Sequence, residues 1–392
     1  MKETRKLLFG IIRAVVLGGT PPDVTDISAD SLGELYKLAK AQDVAHIVGF
    51  FFEKRELQDG CTEIKKALSK QYLTAMYRYQ HLTYEYKRIC ATLEKNKIKY
   101  IPLKGAVIRS YYPMAWMRTS CDIDILVEES ELDRARDGLV KELGYTASEK
   151  RDYHDISLYS PSGVHLELHF NIRENIEPMD EILDTVWANA RLCDGEYGYM
   201  QSNEFLLFHQ IAHAAYHFMR GGCGVRSILD IWLLRGRLTL DGAVYERLLY
   251  GAGLREFEKA ILELADVWYS GAEHTALTRE MEDFILGAGI YGSTENRVAV
   301  SRSDKRSGAA YILSRIFMPY KSMTARYPIL KKHPILLPLC HVLRWFSILS
   351  PETRKRARRE VAYSASLDAQ RGERVGKMLR EIGLQEEDEE KK

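Results

Sequence analysis

Apolar positions recur with the 3.6-residue period of α-helices over most of residues 1–96. The stretch LGELYKLAKAQDVAHIVGFFFEK predicts one continuous helix, with Asp30 or Ser31 as its N-cap. A second stretch, running from EIKKALSKQ to CATLEKNK, predicts a long helix that ends near Asn96. The first 96 residues are therefore expected to form an N-terminal helical region.

The pattern changes at residue 97, where short alternating stretches replace the helical period. A strand over 98–103 stops before Gly105, and DIDILV predicts a second strand. The helix ESELDRARDGLVKELGY is expected to end at Gly144. YHDISLYS and VHLELHF read as two strands joined by the turn PSG. Residues 97–195 are therefore expected to form a compact core that mixes helices and strands.

Helical patterning returns over residues 196–384 and begins with SNEFLLFHQIAHAAYHFM, which Ser202 or Asn203 can cap. The last residues, 385–392, are charged and are expected to be a disordered acidic tail. The predicted fold class is α+β, with a small mixed-sheet core between N-terminal and C-terminal helical regions.

The composition indicates the expected cellular location but does not indicate a binding partner. The 392 residues are 46% hydrophobic and 28% charged, and the net charge of +1 leaves any nucleic-acid contact to a local patch. The six cysteines show no paired spacing, so neither a disulfide framework nor a zinc site is expected, and the cytoplasm is the expected location. Apolar runs near both ends are interrupted by Arg13 and by prolines, so no membrane span is expected.

Two carboxylates lie in an otherwise apolar predicted strand. Asp122 and Asp124 alternate with isoleucines, so their side chains emerge on the same face, where they repel each other. In VHLELHF, Glu167 lies between His165 and His169 on the polar face of another strand. If the two strands are neighbours, the three acids form an oxygen-rich site that suits Mg²⁺ or Mn²⁺. The alternative is an exposed strand face that binds no metal.

Residues upstream of the acids could bind phosphate. Gly105 ends a strand directly before a predicted helix, whose N-terminus would attract an anion, and Lys104 adds a positive charge. Arg118, four residues before Asp122, could reach a phosphate or form a structural ion pair instead. A plain strand-to-helix turn remains the alternative for the Lys-Gly pair.

The segment PLKGAVIRSYYPMAWMRTSCDIDILV, followed by HLELHF, resembles the polymerase-β-like nucleotidyltransferase superfamily. More closely, it resembles the bacterial family of uncharacterised nucleotidyltransferases. The resemblance covers roughly residues 98–171 and maps the phosphate-binding turn to Lys104 and Gly105. It maps the acid pair to Asp122 and Asp124, and the third acid to Glu167. The turn departs from the superfamily, where Gly-Ser is usual.

The resemblance implies a Mg²⁺- or Mn²⁺-dependent transferase that moves a nucleoside monophosphate from a nucleoside triphosphate (NTP) to an acceptor. Asp122, Asp124 and Glu167 would be catalytic metal ligands, and Lys104, Gly105 and Arg118 would hold the triphosphate. The acceptor could be a small molecule, RNA or protein, and the oligomeric state is not predicted. The alternatives are a non-catalytic, helix-rich binding protein with a degenerate nucleotidyltransferase core, or a metal-dependent phosphohydrolase.

Two further features suggest contacts beyond the acids. His209, His213 and His217 recur every four residues on one predicted helix, and His213, His217 and the strand residue His169 are candidate substrate contacts. The alternative is a polar stripe packed against the core. Arg226 and Asp230, four residues apart, could form an ion pair within a helix, and a purely structural role is the alternative. The basic cluster at 354–359 could bind a polyanion or be a solvated helix face.

Overall fold

The computed structural model describes residues 2–193, 195–290, 292–303, 316–347 and 369–385, together with Arg354 and Tyr363. Their packing divides the chain into two compact units, one formed by residues 1–216 and 223–290 and the other by residues 217–222 and 291–392. Within the described residues, no helix is both long enough and apolar enough to cross a membrane. The acidic tail after Gln385 and the basic cluster after Arg354 lie outside the described residues.

Four helices precede the sheet: α1 (Lys2–Val16), α2 (Ala29–Ala41), α3 (Ala45–Glu53) and α4 (Thr62–Lys95). The prediction of one helix across the second and third was wrong, because the chain breaks at Asp43, whose φ is 52°. The neighbouring Gln42 side chain donates from Nε2 to the carbonyls of Ile285 and Ala288, at 3.2 and 2.7 Å. These distant contacts fix the break. The N-cap of α2 is Ser28, which accepts from the backbone of Ser31, so the predicted cap position was also wrong.

A five-stranded mixed sheet forms the centre of the first unit, and a two-stranded sheet accompanies it. The strands are β1 (Tyr100–Pro102), β2 (Asp122–Val127), β3 (Thr146–Arg151), β4 (Asp155–Tyr159), β5 (His165–His169), β6 (Ala190–Leu192) and β7 (Tyr199–Gln201). The order in the large sheet is β1-β2-β5-β4-β3. Strands β2 and β5 are parallel neighbours, and the other pairs in this sheet are antiparallel. The α+β fold class is therefore confirmed.

Alternation of side chains gives the large sheet one apolar face. Ile123, Ile125 and Val127 of β2 belong to a buried cluster together with Leu166 and Leu168 of β5. Helices α4 and α6 (Leu132–Leu143) pack against the same core. Burial of this face fixes the register of the strands, because a shift by one residue would turn every side chain to the opposite face. The polar face is thereby fixed as well.

Short sequence motifs correctly predicted a helix end, a hairpin and a helix cap. Gly144 ends α6 in the left-handed conformation, with φ of 72°, and β4 and β5 pair as the predicted hairpin. Ser202 accepts a hydrogen bond from the backbone of Phe205 at the start of α8 (Asn203–Met219), which confirms its capping role. The strands β3, β6 and β7 were not predicted, because their sequences are short or polar.

The remaining helices of the first unit are α5 (Gly105–Ile108), α7 (Met179–Leu183), α9 (Val225–Arg237), α10 (Gly242–Gly251), α11 (Arg255–Tyr269) and α12 (Ala276–Leu286). The described helices of the second unit are Thr294–Ser303, Tyr320–Arg326, Leu337–Ser347 and Ala369–Glu381, and it also includes the last residues of α8. The boundaries predicted at 96, 195 and 384 remain predictions.

Candidate active site

The parallel pairing of β2 with β5 aligns the polar faces of the two strands. Asp122 pairs with His165, Asp124 with Glu167, and Leu126 with His169. Directly paired residues in neighbouring strands point to the same side of a sheet, so both aspartates and Glu167 share one face. The two strands are therefore neighbours, which is the condition that the sequence set for a three-acid site.

The carboxylates fall into two overlapping groups that share Glu167. Ligand atoms of Asp122, His165 and Glu167 lie within 4.8 Å of one another, and so do those of Asp124, Glu167 and His169. A third group of the same span contains His154, Asp155 and His169. Asp124 is buried at 4% exposure, while Asp122 and Glu167 are partly exposed. The acid cluster is therefore buried at Asp124 and open at Asp122.

Two cationic side chains compensate the buried end of the acid cluster. The Nζ atom of Lys104 lies 3.3 Å from Oδ1 of Asp124, and Nε2 of His169 lies 3.1 Å from the same oxygen. His169 Nε2 is also 3.4 Å from Oε2 of Glu167. Burial alone would raise the pKa of Asp124, but Lys104 and His169 outweigh it and hold that pKa well below its ordinary value. Burial opposes the protonation of His169, yet its hydrogen bonds to Asp124 and Glu167 raise its pKa to about 8.

Lys104 and His165 compensate the open end of the cluster only in part. Burial raises the pKa of the Asp122 carboxyl, and the negative charges of Asp124 and Glu167 raise it further. Carboxylate oxygens crowded together with excess negative charge are the donor set that Mg²⁺ and Mn²⁺ prefer. The residues present therefore fit a divalent cation, which Asp122, Asp124 and Glu167 would hold.

The turn before α5 differs from the expected phosphate cradle. Lys104 has φ of 40°, a strained value for a non-glycine residue, and its amine is directed to Asp124. Helix α5 extends over four residues only, so its N-terminus offers little of the dipole expected from the sequence. Gly105 has a steric role instead, because a Cβ atom there would lie 2.7 Å from Nη1 of Arg118 and 3.0 Å from Oγ of Ser120.

Arg118 is part of a buried ion pair rather than a partner of the aspartates. Its Nη2 and Nε atoms donate to Oδ2 of Asp230 at 3.0 and 3.2 Å, and the hydroxyl of Tyr112 donates to Oδ1 at 2.7 Å. This is the structural alternative that the sequence left open. The ion pair considered between Arg226 and Asp230 does not form, because Arg226 instead pairs with Asp43 and donates to the carbonyl of Thr119 at 3.1 Å.

The histidine helix contributes two residues to the first unit. His209 is buried and lies 3.1 Å from the amide nitrogen of Gln201, while Nδ1 of His213 lies 2.8 Å from a carboxylate oxygen of Glu174. Burial lowers the pKa of both histidines well below the ordinary value, and the positive charge of Lys104 lowers both further. His217 belongs to the second unit.

Glu174 is the main residue that the sequence did not reveal. It is close enough to Lys104 to raise the pKa of that amine, as Asp124 and Glu167 also do against the lowering effect of burial. It follows β5 in an irregular segment, where no periodic pattern distinguishes it from a surface residue. His154 and Asp155, which complete the third ligand group, were likewise not singled out.

The chain belongs to the family of uncharacterised nucleotidyltransferases, whose model matches residues 28–270. The solution structure of the antibiotic-resistance factor ANT(2'')-Ia matches 47% of this chain and 96% of that chain, with 16% sequence identity and a TM-score of 0.33. No match was found among curated proteins. Membership of the family supports nucleotide transfer in general terms.

Proposed function

We propose that the protein is a Mg²⁺- or Mn²⁺-dependent nucleotidyltransferase that uses an NTP as its donor. The observation that carries the proposal is the register of β2 against β5, which brings Asp122, Asp124 and Glu167 to one face. A bound divalent cation would stabilise charge on the phosphate oxygens and lower the pKa of an attacking hydroxyl.

The reaction is a single displacement at the α-phosphorus. An oxygen of the acceptor forms a bond to that phosphorus, the bond to the bridging oxygen of the β-phosphate breaks, and pyrophosphate leaves. The proton of the acceptor hydroxyl must pass to a base, and Glu167, on its own strand and partly exposed, is the carboxylate proposed for that role. Lys104 holds Asp124 ionised, so that this carboxylate remains a ligand.

His213 is the residue proposed to contact the acceptor. Its imidazole is oriented by Glu174, and burial lowers its pKa, which favours the neutral ring. A neutral ring oriented in this way can hydrogen-bond to a hydroxyl or amine of the acceptor. The acceptor itself is proposed only as a small molecule, RNA or protein.

Transfer of label from an α-³²P-labelled NTP tests the proposal. The protein is incubated with Mg²⁺ and, separately, with total RNA, lysate protein and a metabolite extract. We expect label in one fraction with wild type and none with Asp122→Asn. Asp137→Asn is the matched control, because the side chain of Asp137 is 68% exposed on α6. NTP breakdown without a labelled acceptor would indicate a phosphohydrolase, and binding without turnover would indicate a non-catalytic protein.

A further inference from the structure

The helix Leu337–Ser347 of the second unit exposes an apolar face to solvent. Four of its side chains follow the spacing i, i+3, i+4 and i+7 of one helix face and are between 39% and 64% exposed: Leu339, Val342, Leu343 and Phe346. Ile335, four residues before Leu339, is 87% exposed. We call these five side chains the apolar stripe. A helix of a globular protein normally turns such a face to the core, so the stripe indicates a binding surface.

The opposite face of this helix packs on a small core. Cys340 is buried and belongs to a cluster with Met323 and Leu330. The indole nitrogen of Trp345 donates to the carbonyl of Ile316 at 3.0 Å. These contacts hold the helix with the apolar stripe outward.

The apolar stripe lies in a segment whose charged residues are all basic. Residues 305–351 contain eight lysines and arginines and neither aspartate nor glutamate. Lys331 and Lys332 are exposed and lie within four residues of Ile335 in sequence. An exposed apolar helix face next to basic side chains is the composition of helices that lie in the headgroup region of anionic membranes.

We propose that the apolar stripe, together with Lys331 and Lys332, binds the surface of an anionic lipid bilayer. The stripe enters the boundary between headgroups and acyl chains, which removes its apolar area from water. The two lysines stay among the lipid phosphates, where the negative surface potential attracts them. The helix has 11 residues and lies along the surface, because about 20 residues are needed to cross the hydrocarbon core. The stripe belongs to the second unit and the acid cluster to the first, so the inference does not rest on the proposed function.

Two other occupants suit the apolar stripe less well than a membrane. In a symmetric dimer the same surface meets itself, which would bring the lysines of both copies together in a segment that has no carboxylate to balance them. Single-stranded RNA binds through aromatic side chains on which its bases stack, whereas four of the five stripe residues are aliphatic. An anionic bilayer satisfies both the apolar area and the positive charge.

Co-sedimentation of the full-length protein with lipid vesicles tests the proposal. Vesicles of phosphatidylcholine alone are compared with vesicles that also contain about 30% phosphatidylglycerol. We expect wild type to bind the anionic vesicles at least about ten-fold more tightly, because each lysine near the surface contributes about five-fold in affinity. The double variant Lys331→Gln/Lys332→Gln should lose this preference for anionic vesicles.

Variants of the apolar stripe test the contribution of its side chains. Ile335→Ser and Leu339→Ser should each weaken binding to anionic vesicles about ten-fold, because one large aliphatic side chain no longer leaves water. Leu73→Ser is the matched control and should bind like wild type, because Leu73 is 58% exposed on α4 and Leu339 is 55% exposed. Thermal unfolding should give the same Tm for all of these proteins, since the substituted side chains are exposed.

Three results would overturn the proposal: no binding of wild type to anionic vesicles, equal binding of wild type and Leu339→Ser, or the same loss in Leu73→Ser. Sedimentation velocity without lipid detects the competing occupant. A wild-type dimer that Leu339→Ser converts to a monomer, with no vesicle binding, would assign the apolar stripe to a second copy of the chain. Total RNA that shifts wild type but not Leu339→Ser in a gel, again without vesicle binding, would assign it to RNA.

Discussion

Removal of the Asp230 carboxylate should destabilise the first unit strongly. Asp230 accepts from two nitrogens of Arg118 and from the hydroxyl of Tyr112, and the side chains of the ion pair are 4% and 8% exposed. Asp230→Ala leaves a buried guanidinium without its counter-charge. Loss of one partner of a buried pair costs about 3–5 kcal/mol. We expect a decrease of that size in the free energy of unfolding.

Urea unfolding followed by tryptophan fluorescence measures this decrease, since four of the five tryptophans belong to the first unit. A double-mutant cycle with Arg118→Met separates the pair from the rest of the effect. Once the guanidinium is absent, Asp230→Ala should cost at least about 1 kcal/mol less than in wild type. Asp137→Asn, at an exposed pair, should change stability by less than about 1 kcal/mol. A loss below about 1 kcal/mol for Asp230→Ala, or strict additivity in the cycle, would refute the assignment of Arg118 as a structural residue.

Three further predictions concern the site. Gly105→Ala should lower the free energy of unfolding by about 1–3 kcal/mol, because the added Cβ would lie too close to the fixed guanidinium of Arg118. A urea titration measures this loss, and an unchanged midpoint would contradict it. Asp122→Asn removes like-charge repulsion, so the metal-free variant should be as stable as wild type or up to about 1 kcal/mol more stable. Mg²⁺ should raise the Tm of wild type but not that of the variant. The pKa of His209 in the folded protein is below its unfolded value of about 6.5. Its contribution to the free energy of unfolding should therefore be fully present above pH 6.5. Below pH 6.5 the free energy of unfolding should fall by up to about 1.4 kcal/mol per pH unit. His209→Gln should reduce that slope between pH 6.5 and 5, and equal slopes would show that His209 is not buried in its neutral form.

The acid cluster was predictable because it depends on alternation within strands. Period-two patterning placed Asp122 and Asp124 on one face and Glu167 on the polar face of β5, and burial of the opposite face then aligned them. The family resemblance supplied the pairing of the two strands, which alternation alone left conditional. Local rules also located Gly144 and Ser202, whose partners lie within a few residues in sequence.

Contacts between distant segments were not predictable in the same way. Arg118 and Asp230 are 112 residues apart, and nothing near either residue distinguishes this pair from the local one expected between Arg226 and Asp230. The break between α2 and α3 depends on Gln42 binding carbonyls more than 240 residues away. Glu174 likewise acquires its position from tertiary packing against His213. A single sequence does not indicate which of its distant residues come into contact in the folded protein.

The most direct test of the central claim is calorimetric titration of Mg²⁺ in the presence of a non-hydrolysable NTP. Wild type and Glu167→Gln are compared, because Glu167 belongs to both groups of site carboxylates and its replacement preserves shape. We expect saturable Mg²⁺ binding by wild type and a loss of at least about ten-fold in affinity for the variant. Equal Mg²⁺ affinity in the two proteins would contradict the assignment of this face as the metal centre of a nucleotidyltransferase.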